Sequence, residues 1–140
     1  RGLGDVYKRQ VVYTREGAIL GIAAIIDRKC NVALGQRLML LSPDTNKCIS
    51  EFLCVAMNCD SFLNNALKGV AGSASPHINV GDIKMFRMIM PPIELQNQFS
   101  DFVRAIDKSK VNYYYKNRKD GFPPLLFIYS VTTIINLSDY

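Results

Sequence analysis

Val11-Val12-Tyr13-Thr14-Arg15-Glu16-Gly17-Ala18-Ile19-Leu20-Gly21-Ile22-Ala23-Ala24-Ile25-Ile26 is the stretch that sets the architecture. Two β-branched runs flank the polar corner Arg15-Glu16-Gly17, which predicts two strands joined by a tight connection. After the turn-forming Asp27-Arg28-Lys29, a third strand is expected within 31–41, where Val32, Leu34, Leu38 and Leu40 surround Gly35-Gln36-Arg37. That polar centre is foreign to a core strand, so Gln36 and Arg37 either cap a bulge or face something polar. From Ser50 the period changes: Phe52, Val55, Ala56, Cys59, Phe62, Leu63, Ala66 and Leu67 recur every three or four residues. One helix is predicted over 50–68, with Ser50 as N-cap, Glu51 at the positive dipole end and Gly69 as the left-handed stop.

Beyond the helix, Gly69, Gly72, Ser73, Ser75 and Pro76 make a small-residue loop leading to His77-Ile78-Asn79. Residues 80–86 suit one or two helical turns, residues 87–90 a short strand, and Pro91-Pro92 a stop. Ile93, Leu95, Phe99, Phe102, Val103 and Ile106 then predict a second amphipathic helix, with Glu94, Gln96, Asn97, Asp101 and Arg104 on the wet side. From Asn112 the style breaks: three tyrosines, a basic run, Pro123-Pro124 and an apolar run with no helical period.

With 140 residues, of which 49% are hydrophobic and 21% charged, the chain has material for one globular domain and is not a disordered segment. The formal charge of +5 is carried by the ends; residues 11–107 hold nine Lys/Arg and nine Asp/Glu. Bulk charge is therefore no argument for a nucleic-acid partner, although a local basic groove is compatible with a neutral body. No apolar run reaches the length of a membrane span. Cys30, Cys48, Cys54 and Cys59 contain no C-x-x-C pair and have only His77 as a nitrogen partner. No metal site is expected, and the thiols read as reduced core residues of a cytoplasmic protein.

Catalytic chemistry finds little support. His77 is the single histidine, no G-x-S-x-G elbow surrounds Ser73 or Ser75, and Gly69 and Gly72 precede no lysine of a phosphate-binding loop. What remains are Lys68, Ser73, Ser75 and His77 around a small-residue loop, and Thr14, Arg15, Gln36 and Arg37 at the strand corners. Such residues bond phosphates and base edges, although solvated turns and internal Arg–Glu pairs account for the same composition.

Residues 1–10, from Arg1 to Gln10, back-translate to a string resembling a transposase adapter used in sequencing libraries. They are set aside as non-native, and the chain is expected to be a fragment whose own beginning lies upstream.

Several segments together resemble the specificity (S) subunits of type I restriction-modification enzymes. Thr14-Arg15-Glu16-Gly17-Ala18-Ile19-Leu20-Gly21 is similar to the family's T-R-E-x-P-x-G stretch, without the proline and with one residue inserted. Residues 34–43 are similar to its L-x-Q-R-hydrophobic-Pro stretch. The helix over 50–68, the Gly72-Ser73 loop with Ile78-Asn79, and Pro91-Pro92-Ile93-Glu94-Leu95-Gln96-Asn97-Gln98-Phe99 follow in the family's order. Asp107-Lys108-Ser109-Lys110 fits its conserved helix.

The resemblance implies a mixed α/β (α+β) unit, the second half of one DNA target recognition domain over 11–92, followed by the start of a spacer helix over 93–111. It implies a non-catalytic chain that reads double-stranded DNA and directs partner modification (methyltransferase) and restriction subunits, to which S-adenosylmethionine, ATP and Mg would belong. No cofactor is expected on this chain. Thr14, Arg15, Gln36, Arg37, Lys68, Ser73, Ser75 and His77 are the DNA-facing candidates. The departure at 112–140 points to a frameshift or truncated gene, with a divergent tail as the alternative. Two rivals are the recognition region of a fused restriction-methyltransferase and a protein-interaction module with no DNA role.

Overall fold

The computed structural model describes residues 5–6, 9–17, 20–26, 30–31, 34–68 and 77–117. Among these described residues, five strands, β1 (Asp5–Val6), β2 (Val11–Thr14), β3 (Ala23–Ile25), β4 (Cys30–Asn31) and β5 (Leu38–Leu41), precede four helices. These are α1 (Ser50–Met57), α2 (Asp60–Leu67), α3 (Val80–Met85) and α4 (Ile93–Asn117). The architecture is the expected mixed α/β arrangement. β2 is the centre of an antiparallel sheet ordered β3-β2-β5, in which Tyr13 lies opposite Ala23 and Met39. β1 and β4 form a separate antiparallel pair.

The period of two in β2 decides which face is covered. Val11 and Tyr13 are fully buried, whereas Val12 and Thr14 are half-buried. Val11, Tyr13 and Ala23 meet Met57, Phe62, Ala66, Ile78 and Ile83 in one core. Phe62 is its hub, edge-on to Tyr13 at 5.7 Å and packed on Phe86 at 4.2 Å. The Tyr13 hydroxyl is buried without a partner, and burial pushes its pKa up to about 12.

β3 occupies only the end of the apolar run 18–26, because the chain first has to turn. The Thr14 hydroxyl accepts the Ile22 N–H at 2.9 Å, and Gly21 donates to the Thr14 carbonyl at 2.9 Å. Gly21 has φ +77°, and a Cβ there would lie 2.1 Å from Leu63 Cδ1. Only glycine satisfies both conditions.

The helix predicted over 50–68 is two helices, broken at Asn58-Cys59 where no glycine or proline marks a break. Asn58 Oδ1 accepts the Ala23 N–H at 2.8 Å, and Nδ2 donates to the Ala23 carbonyl at 2.9 Å and the Cys54 carbonyl at 3.0 Å. The amide thus mimics one residue of an added strand along the edge of β3 while closing α1. Cys59, with φ −70° and ψ 144°, restarts the chain as the N-cap of α2.

Ser50 is not the N-cap of α1. Ile49 takes that position with an extended backbone, and Ser50 is buried in the first turn, its hydroxyl donating to the Arg9 carbonyl. The Ile49 N–H is satisfied from a distance, by Gln96 Oε1 at 2.9 Å. Gln96 Nε2 donates to the Lys47 carbonyl at 3.0 Å and the Pro91 carbonyl at 2.8 Å.

The polarity expected of α4 holds at Glu94, Asn97, Asp101, Phe99 and Val103 and is reversed at Gln96, Leu95 and Phe102. Gln96 is 1% exposed and Ser100 2%, whereas Leu95 is 54% exposed and Phe102 61%. Val103 is buried as predicted, and Phe99 meets Phe52 edge-on at 6.3 Å. Below Gln96, Arg104 Nε donates to Glu51 Oε1 at 2.6 Å; Glu51 is buried and also meets Arg9. α4 continues to Asn117, past the expected change of style at 112. Residues 87–90 form no strand; Ile89 is 89% exposed, and no described strand lies alongside to pair with it.

Cys48, Cys54 and Cys59 are free. Burial raises all three thiol pKa values, that of Cys54 to about 12 with help from Asp107 and that of Cys59 with help from Asp60. Such thiols are poor nucleophiles.

Asn58→Ala leaves both backbone groups of Ala23 short of their partner. The variant is expected to lose roughly 2–4 kcal/mol of stability, read as a lower urea midpoint at unchanged m-value.

Candidate functional site

Three chain segments that the sequence keeps far apart meet at the end of β2. Arg15 joins them through both its backbone and its side chain. Its N–H donates to the Arg37 carbonyl at 3.0 Å, and its carbonyl accepts the Ile78 N–H at 2.7 Å. Its Nε donates to the Gln36 carbonyl at 3.0 Å, and Nη1 reaches the Ile78 carbonyl at 3.5 Å. Glu16 and His77 form an antiparallel bridge beside it. One guanidinium fork therefore ties the β2 corner, the turn before β5 and the strand-like segment before α3 into one edge.

Five of the eight candidates gather there: Thr14, Arg15, Gln36, Arg37 and His77. They divide by what their side chains do. Thr14 and Arg15 are half-buried and engaged with backbone, closing the hairpin and stapling the edge. Gln36, Arg37 and His77 are exposed. The apolar flanks of Gln36 and Arg37 are thus explained: the polar centre of 31–41 is a turn before β5, and Arg37 lies beside Gly17, whose Cβ position is 3.9 Å from Arg37 Cδ.

Lys68 belongs to a neighbouring place. It follows α2, is exposed, and donates from Nζ to Asn65 Oδ1 at 2.7 Å. It borders an open cleft of about 450 Å³ between α2 and α3, with Asp82, Met85, Phe86 and Arg87. Arg87 escaped the sequence reading because Phe86-Arg87-Met88 carries no motif; only the placement of α3 brings it beside Lys68. The cleft adjoins the edge along the chain, since Ile78 and Asn79 lead directly into α3. Ser73 and Ser75 lie outside the described residues, as does Gly69.

Chemically, this surface offers cations, an amide and an imidazole on a rigid edge. Among the described residues, it sets no nucleophile beside a base. Among the described residues, no three His, Cys, Asp or Glu side chains are placed to hold a metal ion, and no helix is long and apolar enough to cross a membrane.

Residues 6–115 match the family model described as the type I restriction modification DNA specificity domain. No curated protein and no solved structure matches the chain.

The division of labour along the edge has a measurable consequence. Arg15→Ala removes two side-chain bonds to backbone and is expected to destabilise by about 1–2 kcal/mol. Arg37→Ala is expected to stay within about 0.5 kcal/mol of the parent in the same urea titrations.

Proposed function

The chain belongs to the type I restriction-modification DNA specificity domain family, and we propose that it reads its half of a DNA target with the edge built on Arg15. The observation that carries this reading is the convergence of Gln36, Arg37 and His77 beside a guanidinium already committed to backbone. Arg and Gln side chains make two-pronged contacts to purine edges in the major groove, and their discrimination depends on being held in place. In this reading Gln36 and Arg37 face bases, and Arg15 with Thr14 holds them there. Lys68, with Arg87 across the cleft, neutralises phosphate, which positions the duplex without reading it. His77 adds an exposed imidazole to the edge, and Ser73 and Ser75, a few residues earlier in the sequence, are retained as DNA-contact candidates.

The chain itself makes and breaks no covalent bond in this account. Methyl transfer from S-adenosylmethionine belongs to modification subunits, and ATP- and Mg-dependent cleavage to a restriction subunit. Leu95 and Phe102, one heptad apart on the outward side of α4, supply the apolar surface for docking such subunits. The site of action is the cytoplasm, which agrees with the free thiols of Cys48, Cys54 and Cys59.

The test is binding to duplex DNA at several salt concentrations. Lys68→Ala is expected to weaken all sequences alike and to lower the slope of log K against log salt by about 1. Arg37→Ala is expected to cost about 1–3 kcal/mol on the preferred sequence and almost nothing on random duplex. Affinities of both variants equal to the parent at fixed salt would remove these residues from the interface.

A further inference from the structure

We infer that Gln96 is a positioning residue that fixes the direction in which α4 leaves the domain, so that the DNA-facing edge and the outward face of α4 move as one body. Helices usually dock through an apolar stripe, which tolerates sliding and rotation. The stripe that α4 turns inward includes Gln96, Ser100 and Arg104, each one helical turn from the next, with Val103 beside them. Gln96 is 1% exposed, and its amide uses two donors and one acceptor on three separate backbone groups: the Lys47 and Pro91 carbonyls and the Ile49 N–H. The Pro91 bond orients the amide against its own helix start, and the bonds to Lys47 and Ile49 cross to the segment that opens α1; all three have directions, which restricts the register and rotation of α4. Two turns further on, Arg104 meets the buried Glu51 at 2.6 Å and supplies a second fixed point. Two fixed points on a helix define its axis.

The path to the edge is equally polar. α1 starts at the Ile49 N–H held by Gln96 and ends at Asn58, whose amide holds both backbone groups of Ala23 in β3. β3 pairs with β2, and β2 leads into Arg15. Side-chain amides therefore connect α4 to the sheet at both ends of α1. Buried amides bonded through both their oxygen and their nitrogen restrain orientation more than they add stability, and they do so here although Ser100 Oγ and Glu51 Oε2 beside them have no hydrogen-bond partner among the described residues. Its use in recognition rests on the DNA reading above; the orientation itself does not.

The experiment measures the distance distribution between spin labels carried by non-natural amino acids at Gly35 and Lys108, leaving the native thiols untouched. The intact chain is expected to give one narrow band. Gln96→Leu is expected to broaden the band about twofold or to shift it, while affinity for random duplex DNA stays at the parental value. Gln96→Glu, which keeps the acceptor for Ile49 and loses both donors, is expected to fall between. Arg104→Gln alters a half-exposed side chain and carries the test should Gln96→Leu not fold; it too is expected to broaden the band. Bands as narrow as the parent's and at the same distance in every folded variant would overturn the proposal. Narrow bands with DNA binding absent in all forms, the parent included, would overturn both the proposal and the DNA reading. Broad variant bands with DNA binding absent throughout would remove the DNA reading alone.

Discussion

Two carboxamides hold α1, and the rest of the domain is referred to that short helix. Gln96 satisfies the N–H that opens it, and Asn58 closes it while bonding both backbone groups of Ala23. Neither contact is local: Ile49 and Gln96 are 47 residues apart, and Ala23 and Asn58 are 35. Each amide replaces a partner that ordinary secondary structure would have supplied, a capping side chain in one case and a neighbouring strand in the other. The three-stranded sheet ends at β3 because an asparagine covers that edge.

The proposed recognition surface follows the same logic at smaller scale. Arg15 is bonded to two carbonyls, so it shapes the edge from within, and the exposed Gln36 and Arg37 stand on the turn it supports. A base-reading group gains discrimination when its own backbone is held, since a misplaced donor pays for its freedom in lost geometry. A neutral body with local cations suits this arrangement. In the proposed reading, charge near the duplex comes from Arg37, Lys68 and Arg87, while Arg104 is paired with Glu51 and Asp101.

Much of this was legible in advance, and the failures share one cause. The β-branched run at 11–14 located a strand, which the structure puts at the centre of the sheet; the three-and-four spacing after Ser50 located the helical layer, and Pro91-Pro92 located the start of α4. The family resemblance, carried by order and spacing over 11–110, agrees with the matched segment 6–115. What periodicity could not reveal was any polar side chain with a distant backbone partner. Asn58 broke a helix that its neighbours would have continued. Gln96 moved from the wet face to the interior because three backbone groups awaited it, and that rotated Leu95 and Phe102 outward. Of the candidate site, sequence located the segments that converge, without distinguishing the residues that build the edge from those that face outward. Arg87 was invisible because its significance comes only from the packing of α3 against α2.

The central claim is that this edge reads sequence rather than charge. Selection of bound duplexes from a randomised pool at physiological salt measures that directly. The account predicts recovery of one short shared sequence, bound about a thousandfold or more tighter than random duplex. Recovery of unrelated sequences with uniform affinity would contradict it and leave an edge that binds phosphate alone.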